Sequence, residues 1–403
     1  MPGGFDPDRF RITQLYYITH SRNIPSILER GILSHEIVER EGVPHETVYA
    51  PGIVRIRGER QTPDGRTLLS YANLYFQPRN PMLFRVLFQG APLVEDIAIL
   101  GVDKSVVNLP GVFIAAGNAV YTLSEMYAAG KLKEALSEFE NDLALEYWSD
   151  KDGSKRRIMA ECLVQDRVPP EYVKSIFVAN PSAGEKVRAL LGDHLGPGVD
   201  IVPEPHMFFQ PARRSEVTSN LSVIDGDMFF SRMQTLTISV NCVGVMGKGL
   251  ASRAKYQFPD VYVRYQDLCR NKSLRLGKPY LYKREGFEVA DQPDSLVGVN
   301  GGTWFLLFPT KDHWREQASV PGIRDGLEWF VKRYKEEGIA SLAMPALGCG
   351  QGGLEWRDMG PLICGYLSTL EIPVQLYLPA EKRIPDVQLA PEFLVGKRRG
   401  FFE

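Results

Sequence analysis

Thr235-Leu236-Thr237-Ile238-Ser239-Val240-Asn241-Cys242-Val243-Gly244-Val245-Met246-Gly247-Lys248-Gly249-Leu250-Ala251 is the stretch on which the reading of the fold turns. Its first seven residues set Leu, Ile and Val among β-branched Thr and read as a buried strand. A Gly-rich loop follows, and then a helix expected from Leu250 to Phe258. Glycines let the backbone approach a ligand closely, and the first N–H groups of a helix have no internal partner. A phosphate or ribose therefore fits beyond the strand end. A plain strand-loop-helix connection accounts for the same residues equally well.

Two later stretches shift that balance. Phe305 to Lys311 is a second apolar run ending in a polar loop, and Ser341 to Leu347 is a third, feeding Gly348-Cys349-Gly350-Gln351-Gly352-Gly353 before a helix that starts near Leu354. In an open α/β sheet, ligands bind beyond the carboxyl ends of the strands. Three strand ends are thus expected to converge on one crevice.

The chain has 403 residues, which suggests two or three domains. No apolar run approaches a membrane span, and Met1 to Asp6 lacks the charged and apolar regions of a signal peptide, so a cytoplasmic location is expected. The five cysteines are scattered without paired spacing, which indicates neither a metal site nor a disulfide framework. The formal net charge is −2, unevenly divided: residues 1–210 carry 22 Lys and Arg against 27 Asp and Glu. A nucleic-acid binder usually carries a basic footprint, so DNA binding by the first half requires its basic residues to cluster.

In that first half, residues 12–20 read as a strand, followed by Ser21 as the cap of a helix from Asn23 to Arg30. Residues 34–67 read as a long polar connection with a short helix near His35 to Arg40, and carry Arg55 and Arg57 among their arginines. Ile97 to Val102 and Gly111 to Ala115 read as strands, and Leu123 to Trp148 reads mostly as helix. Ile158 to Val164 is an apolar strand interrupted by one carboxylate, Glu161, which is costly to bury unless paired or used. Val173 to Ala179 reads as a strand, Ala183 to Leu191 as a helix and Val199 to Phe209 as a closing strand. A polar, proline-containing segment then marks a boundary: domains of 1–210 and 221–403 are expected, with 211–220 as linker. Ten residues span at most roughly 33–36 Å, so contact between the halves is allowed but not required.

The second half resembles the macrodomains, ADP-ribose-binding proteins, through Gly226-Asp227, Asn241 with Gly247-Lys248-Gly249, and the Gly348 to Gly353 loop. Phe308-Pro309-Thr310-Lys311-Asp312-His313-Trp314-Arg315 and Leu347 to Leu354 are similar to DarG, the antitoxin macrodomain that removes ADP-ribose from DNA. The first half, over about Leu15 to Phe209, resembles DarT, a toxin family that modifies single-stranded DNA. Its marks are Tyr16 to His20 with Asn23, Arg57, Tyr75 to Leu83, and Ala160 to Val164.

These resemblances imply an N-terminal α+β ADP-ribosyltransferase fold and a C-terminal α/β/α macrodomain with a mixed central sheet. They imply NAD as substrate and ADP-ribose as product or ligand, with no metal. Glu161 would be the catalytic acid residue and Arg57 would contact NAD near the reacting carbon, with Arg55 as an alternative. Tyr17, Thr19 and Asn23 would hold the nicotinamide end, with Tyr71 and Tyr75 along it. The family often has a histidine where this chain has Tyr17. Lys155, Arg156 and Arg157 would form a local basic patch for the DNA strand. In the second half, Asp227 would read the adenine edge, Asn241, Gly247, Lys248 and Gly249 would border the distal ribose, and Gly348, Cys349, Gly350, Gln351, Gly352 and Gly353 would wrap the diphosphate. Lys311 would act on the glycosidic link, as an ammonium on the leaving group or as an amine on the ribose carbon.

The expected function is a fused toxin and antitoxin: a transferase that places ADP-ribose on a base of single-stranded DNA, thymine favoured over guanine, and a hydrolase that removes it. The alternative is a transferase acting on protein, with the macrodomain as a non-hydrolytic ADP-ribose reader. No membrane partner is expected.

Overall fold

The computed structural model describes residues 12–48, 51–89, 92–150, 152–192, 198–284, 303–380 and 382–396. Met1 to Asp6, read above for a signal peptide, lies outside them. The chain divides into two compact units, Met1–Phe209 and Gln210–Glu403.

In the first unit one sheet carries eight strands, in the order Asp200–Pro203, Val173–Val178, Ile97–Asp103, Gln14–His20, Tyr71–Tyr75, Glu161–Gln165, Phe113–Ala115 and Met126–Ala128. Only the first two of these are parallel neighbours. Side chains alternate across a sheet. Ala72, Leu74, Cys162 and Val164 accordingly enter the main core with Leu15, Leu100 and Val102. Tyr71 and Leu163 pack with Leu68, Ala115 and Ala119 in a smaller cluster. Gln14–His20 and Tyr71–Tyr75 pair at a single position, Tyr16 against Tyr75, so the sheet parts at that point.

Several expected elements differ. The supposed polar connection 34–67 carries the expected short helix, as His35–Glu41, but also a second one, Pro51–Glu59. Ser34 Oγ accepts from Ile37 N and caps the first, and Pro51 suits the opening position of the second because its missing N–H has no partner to lose. Ser21 is not a cap: a 3-10 turn, Ser21–Asn23, intervenes, and the His20 ring accepts from Arg22 N. Within Leu123 to Trp148 only Leu132–Phe139 is α-helical, burying Leu132, Ala135, Leu136 and Phe139, while Met126–Ala128 forms an edge strand. The closing strand stops at Pro203, before a 3-10 turn that opens on Pro205.

The second unit is built on seven strands, in the order Arg213–Glu216, Leu221–Asp225, Val374–Tyr377, Leu342–Pro345, Thr235–Asn241, Trp304–Lys311 and Tyr280–Tyr282. The inner five are parallel and both edges antiparallel, giving a mixed sheet. Leu306 and Phe308 pack with the helices Val320–Arg333 and Trp356–Leu367. Their neighbours Phe305 and Leu307 pack with Gly249–Gln257 and Pro259–Arg270 on the other face. Both faces are covered, as an α/β/α architecture requires. The segment expected as linker is partly structure, because Arg213–Glu216 hydrogen-bonds along Leu221–Asp225.

Candidate active sites

Glu161 opens its strand in register with Tyr75 on one side and Ala115 on the other, and is 1 % exposed. Both carboxylate oxygens are held: Oε1 accepts from Ala119 N at 2.9 Å and Oε2 from Arg57 Nη1 at 3.0 Å. The Pro51–Glu59 helix delivers Arg57 to this acid across 104 residues of sequence. Arg55 instead faces solvent and lies near Glu59, so Arg57 rather than Arg55 is the arginine that meets Glu161. Arg57 Nη2 is buried without a hydrogen-bond partner. A buried guanidinium N–H with no protein acceptor fits a ligand oxygen, as NAD would provide.

Tyr75 is buried beside this pair. Burial first, and then the Glu161 carboxylate, push its phenol well above the usual range, with Arg57 opposing and Tyr17 also within electrostatic reach. Glu161, Arg57, Tyr75 and Tyr17 therefore share one location, next to the place where the sheet parts.

The other expected NAD contacts are engaged within the protein. Asn23 Nδ2 donates to Thr19 Oγ1 at 3.1 Å and to Glu46 O at 2.9 Å, and Asn23 Oδ1 accepts from Glu46 N at 2.8 Å. It clamps the segment around Glu46 over the buried Thr19. Tyr71 donates to Asp64 Oδ2 at 2.7 Å and packs edge-on to Phe113, so it anchors the turn before its strand. Burial, with Asp64 adding to it, pushes the Tyr71 phenol to about 12.

The residues of the expected basic patch are engaged within the protein, Lys155 buried and Arg156 and Arg157 half-buried. Lys155, 9 % exposed, donates to Asp150 Oδ2. Arg156 donates to Ala116 O and Ser124 Oγ, and Arg157 grips Asp142 with Nε and Nη2 at 2.7 and 3.2 Å. These three side chains brace the loops around them. Arg156 matters most for the site: its backbone O also accepts from Asn118 N, so it fixes the loop that presents Ala119 N to the acid. Nothing in the sequence marked Ala119, since the contact uses only its backbone.

In the second unit Asn241 and Lys311 are paired in register at adjacent strand ends. Lys311 Nζ donates to Glu316 O at 2.8 Å and Gln351 O at 3.1 Å, joining the loop after its own strand to the glycine loop. Burial lowers its pKa from the ordinary 10.5, against the opposing charge of Glu316. Asn241 accepts from Val243 N and from Tyr265 Oη and donates to Val245 O, so it shapes the loop after its strand. Gly247, Lys248 and Gly249 are exposed at the start of the following helix.

The Gly348 to Gly353 loop doubles back on itself through Leu354 N to Gly348 O, 2.9 Å, and Gly353 N to Gly350 O, 3.1 Å. A Cβ on Gly352 would lie 2.5 Å from the Gly348 carbonyl oxygen, so this close approach excludes any side chain. Such a backbone cradle suits a diphosphate. Cys349 is buried with its thiol toward Leu347 O, and burial pushes it up to about 12, which removes it as a nucleophile. Asp227 is held by Arg253 Nη1 at 2.6 Å and by Phe229 N at 3.0 Å, and the Arg253 guanidinium lies over the Phe229 ring. Each carboxylate oxygen keeps a second acceptor position for an adenine edge. Sequence reading missed Arg253, whose only signal is an arginine on the buried face of a helix.

Among the described residues no helix is long and apolar enough to cross a membrane, and no cluster of three or more His, Cys, Asp or Glu could hold a metal ion.

A transferase-type split sheet with a buried Arg–Glu pair, joined to a macrodomain, defines a two-domain protein of ADP-ribose chemistry. The family described as ssDNA thymidine ADP-ribosyltransferase, DarT, matches residues 16–209, and the macro domain family matches residues 239–363. The DNA ADP-ribosyl transferase–DNA ADP-ribosyl glycohydrolase fusion protein of Thermosipho africanus is 52 % identical over 388 residues, covering 96 % of this chain and 99 % of that protein. The solved structure of Thermosipho africanus DarTG in complex with ADP-ribose superposes with a TM-score of 0.88 at 52 % identity, covering 94 % of this chain and 99 % of that one. The DNA ADP-ribosyl glycohydrolase of Thermus aquaticus is 34 % identical over 162 residues, 40 % of this chain and 42 % of that protein. The chain belongs to the family of DNA ADP-ribosyl transferase–DNA ADP-ribosyl glycohydrolase fusion proteins.

Proposed function

We propose that the first unit transfers ADP-ribose from NAD to a base of single-stranded DNA, with thymine as the target, and that the second unit hydrolyses the adduct. The observation that carries the first activity is the buried pair of Arg57 and Glu161 with an unsatisfied Arg57 Nη2 beside it. Breaking the nicotinamide–ribose bond builds oxocarbenium charge, which the Glu161 carboxylate stabilises while it takes a proton from the incoming base. Ala119 N and Arg57 Nη1 fix the direction of that carboxylate. Tyr17 and Tyr75 line the same location, while Thr19, Asn23 and Tyr71 support its walls.

In the second unit the glycine loop takes the diphosphate, Asp227 the adenine edge, and Lys311 the glycosidic link. Burial lowers the Lys311 pKa and favours its neutral amine as a nucleophile. The amine bonds to the ribose carbon as the carbon–base bond breaks; the electron pair leaves with the base, which is then protonated, and water releases the ribose from the lysine. The relatives are DNA-directed enzymes by name, which favours this reading over a transferase acting on protein. A cytoplasmic location accords with five free cysteines.

Offering the Lys311→Ala chain NAD together with oligonucleotides containing or lacking thymine, and with protein, tests this assignment. The expected product is one ADP-ribose on thymine-containing strands only. Label on protein with none on DNA would overturn it.

A further inference from the structure

We propose that Trp314 and Arg315 form a stacking platform in the second unit for the base flanking the modified nucleotide, so that this site recognises a DNA strand as well as ADP-ribose. The inference rests on the proposed DNA glycohydrolase activity and adds how its substrate is held.

Four observations lead to it. His313 to Glu316 is a tight turn closed by Glu316 N to His313 O at 3.0 Å, and Trp314 and Arg315 occupy its two central positions. The turn is further braced by His313 N to Glu316 Oε2 and Arg315 N to His313 Nδ1. Trp314 is 47 % exposed, an unusual cost for the largest apolar side chain, and the Arg315 guanidinium lies 4.7 Å from its ring centroid. The carbonyl that ends the turn, Glu316 O, is also the one that receives Lys311 Nζ. The platform is therefore mechanically tied to the group that acts on the glycosidic link.

An exposed indole with a guanidinium on it is the chemistry of single-strand recognition. Every base has a π face to stack on the ring, and the cation meets the phosphate between two nucleotides. Free ADP-ribose would have its adenine and diphosphate taken up elsewhere, at Asp227 and the glycine loop, leaving Trp314 for the strand. Exposed Val243 and Val245 extend the apolar mouth from the neighbouring loop, which Cys242 N to Asp312 O joins to this one at 3.0 Å.

The test uses the full chain without NAD, following release of ADP-ribose from an ADP-ribosylated oligonucleotide and from the same linkage on a single thymidine. Stacking of one base is worth about 1–3 kcal/mol. The expected result is an oligonucleotide KM about tenfold higher in Trp314→Ala, largely restored in Trp314→Phe, with kcat and the thymidine KM unchanged. Arg315→Ala is expected to flatten the salt dependence of the oligonucleotide KM alone. An unchanged oligonucleotide KM in Trp314→Ala, or an equal loss on both substrates, would overturn the platform. Release from neither substrate by the unaltered chain would instead remove the hydrolase reading, and the platform with it.

Discussion

Glu161 is a carboxylate at 1 % exposure whose charge is met by one guanidinium N–H and one backbone N–H. Glu161→Gln keeps the shape but places an amide where an anion is needed, and is expected to slow ADP-ribose transfer by about 10²–10⁴-fold, measured by oligonucleotide mass after reaction with NAD. Arg57→Ala has a different signature, because it leaves a buried carboxylate unpaired. A loss of about 3 kcal/mol in the unfolding of the first unit is expected by urea denaturation, besides loss of transfer. Lys311 tests charge state. Since burial lowers its pKa, the neutral fraction at a given pH exceeds that of a free lysine, so release of ADP-ribose is expected to rise with pH and level off below 10.5. Lys311→Arg keeps a cation without an accessible neutral form, and is expected to be as inactive as Lys311→Ala; a pH profile of both variants decides it. At this scale the sequence was legible where the chemistry is unusual: an acid in an apolar strand and a lysine at a strand end within a family motif. It was less decisive where a polar side chain has a structural alternative. Asn23, Tyr71, Asn241 and the run Lys155 to Arg157 all look like ligand contacts in one dimension, and each finds partners inside its own unit.

Loops between regular elements brace the groups proposed to react, which themselves lie on strands and a helix. Arg156 fixes the loop that offers Ala119 N to Glu161, and Gly117 within that loop has φ +148 with Arg156 Nη1 2.7 Å from where a Cβ would lie. Arg156→Ala is therefore expected to reduce kcat for transfer about tenfold with a smaller change in the NAD KM, as a misplacement of the acid predicts. In the second unit Gly352→Ala sets a Cβ against the Gly348 carbonyl, and is expected to weaken ADP-ribose binding at least about tenfold by calorimetry, since the cradle must open to admit it. The strands of the second unit were plain in the sequence because both faces are buried, which gives continuous apolar runs. The helix Pro51–Glu59 was not, since none of its described side chains is fully buried and it carries Arg57 to a partner 104 residues away. Such a contact has no local signal. The strand Arg213–Glu216 was read as linker for a related reason: it is a polar edge strand, stabilised by backbone pairing with Leu221–Asp225 rather than by apolar side chains.

One polypeptide that both writes and erases a mark has a property neither half has alone: in steady state its product is invisible while both sites work. NAD is consumed, yet the DNA returns to its original mass. The division into Met1–Phe209 and Gln210–Glu403 gives each activity its own core, so each is expected to be separable by one substitution. The measurement that tests this most directly incubates the unaltered chain and the Lys311→Ala chain with NAD and mixed single-stranded oligonucleotides, and follows DNA mass. Accumulation of one ADP-ribose per strand in the Lys311→Ala reaction, with little or none in the unaltered one, is the predicted result. Equal adduct in both would contradict erasure through Lys311, and no adduct in either, with NAD intact, would contradict a DNA transferase in the first unit.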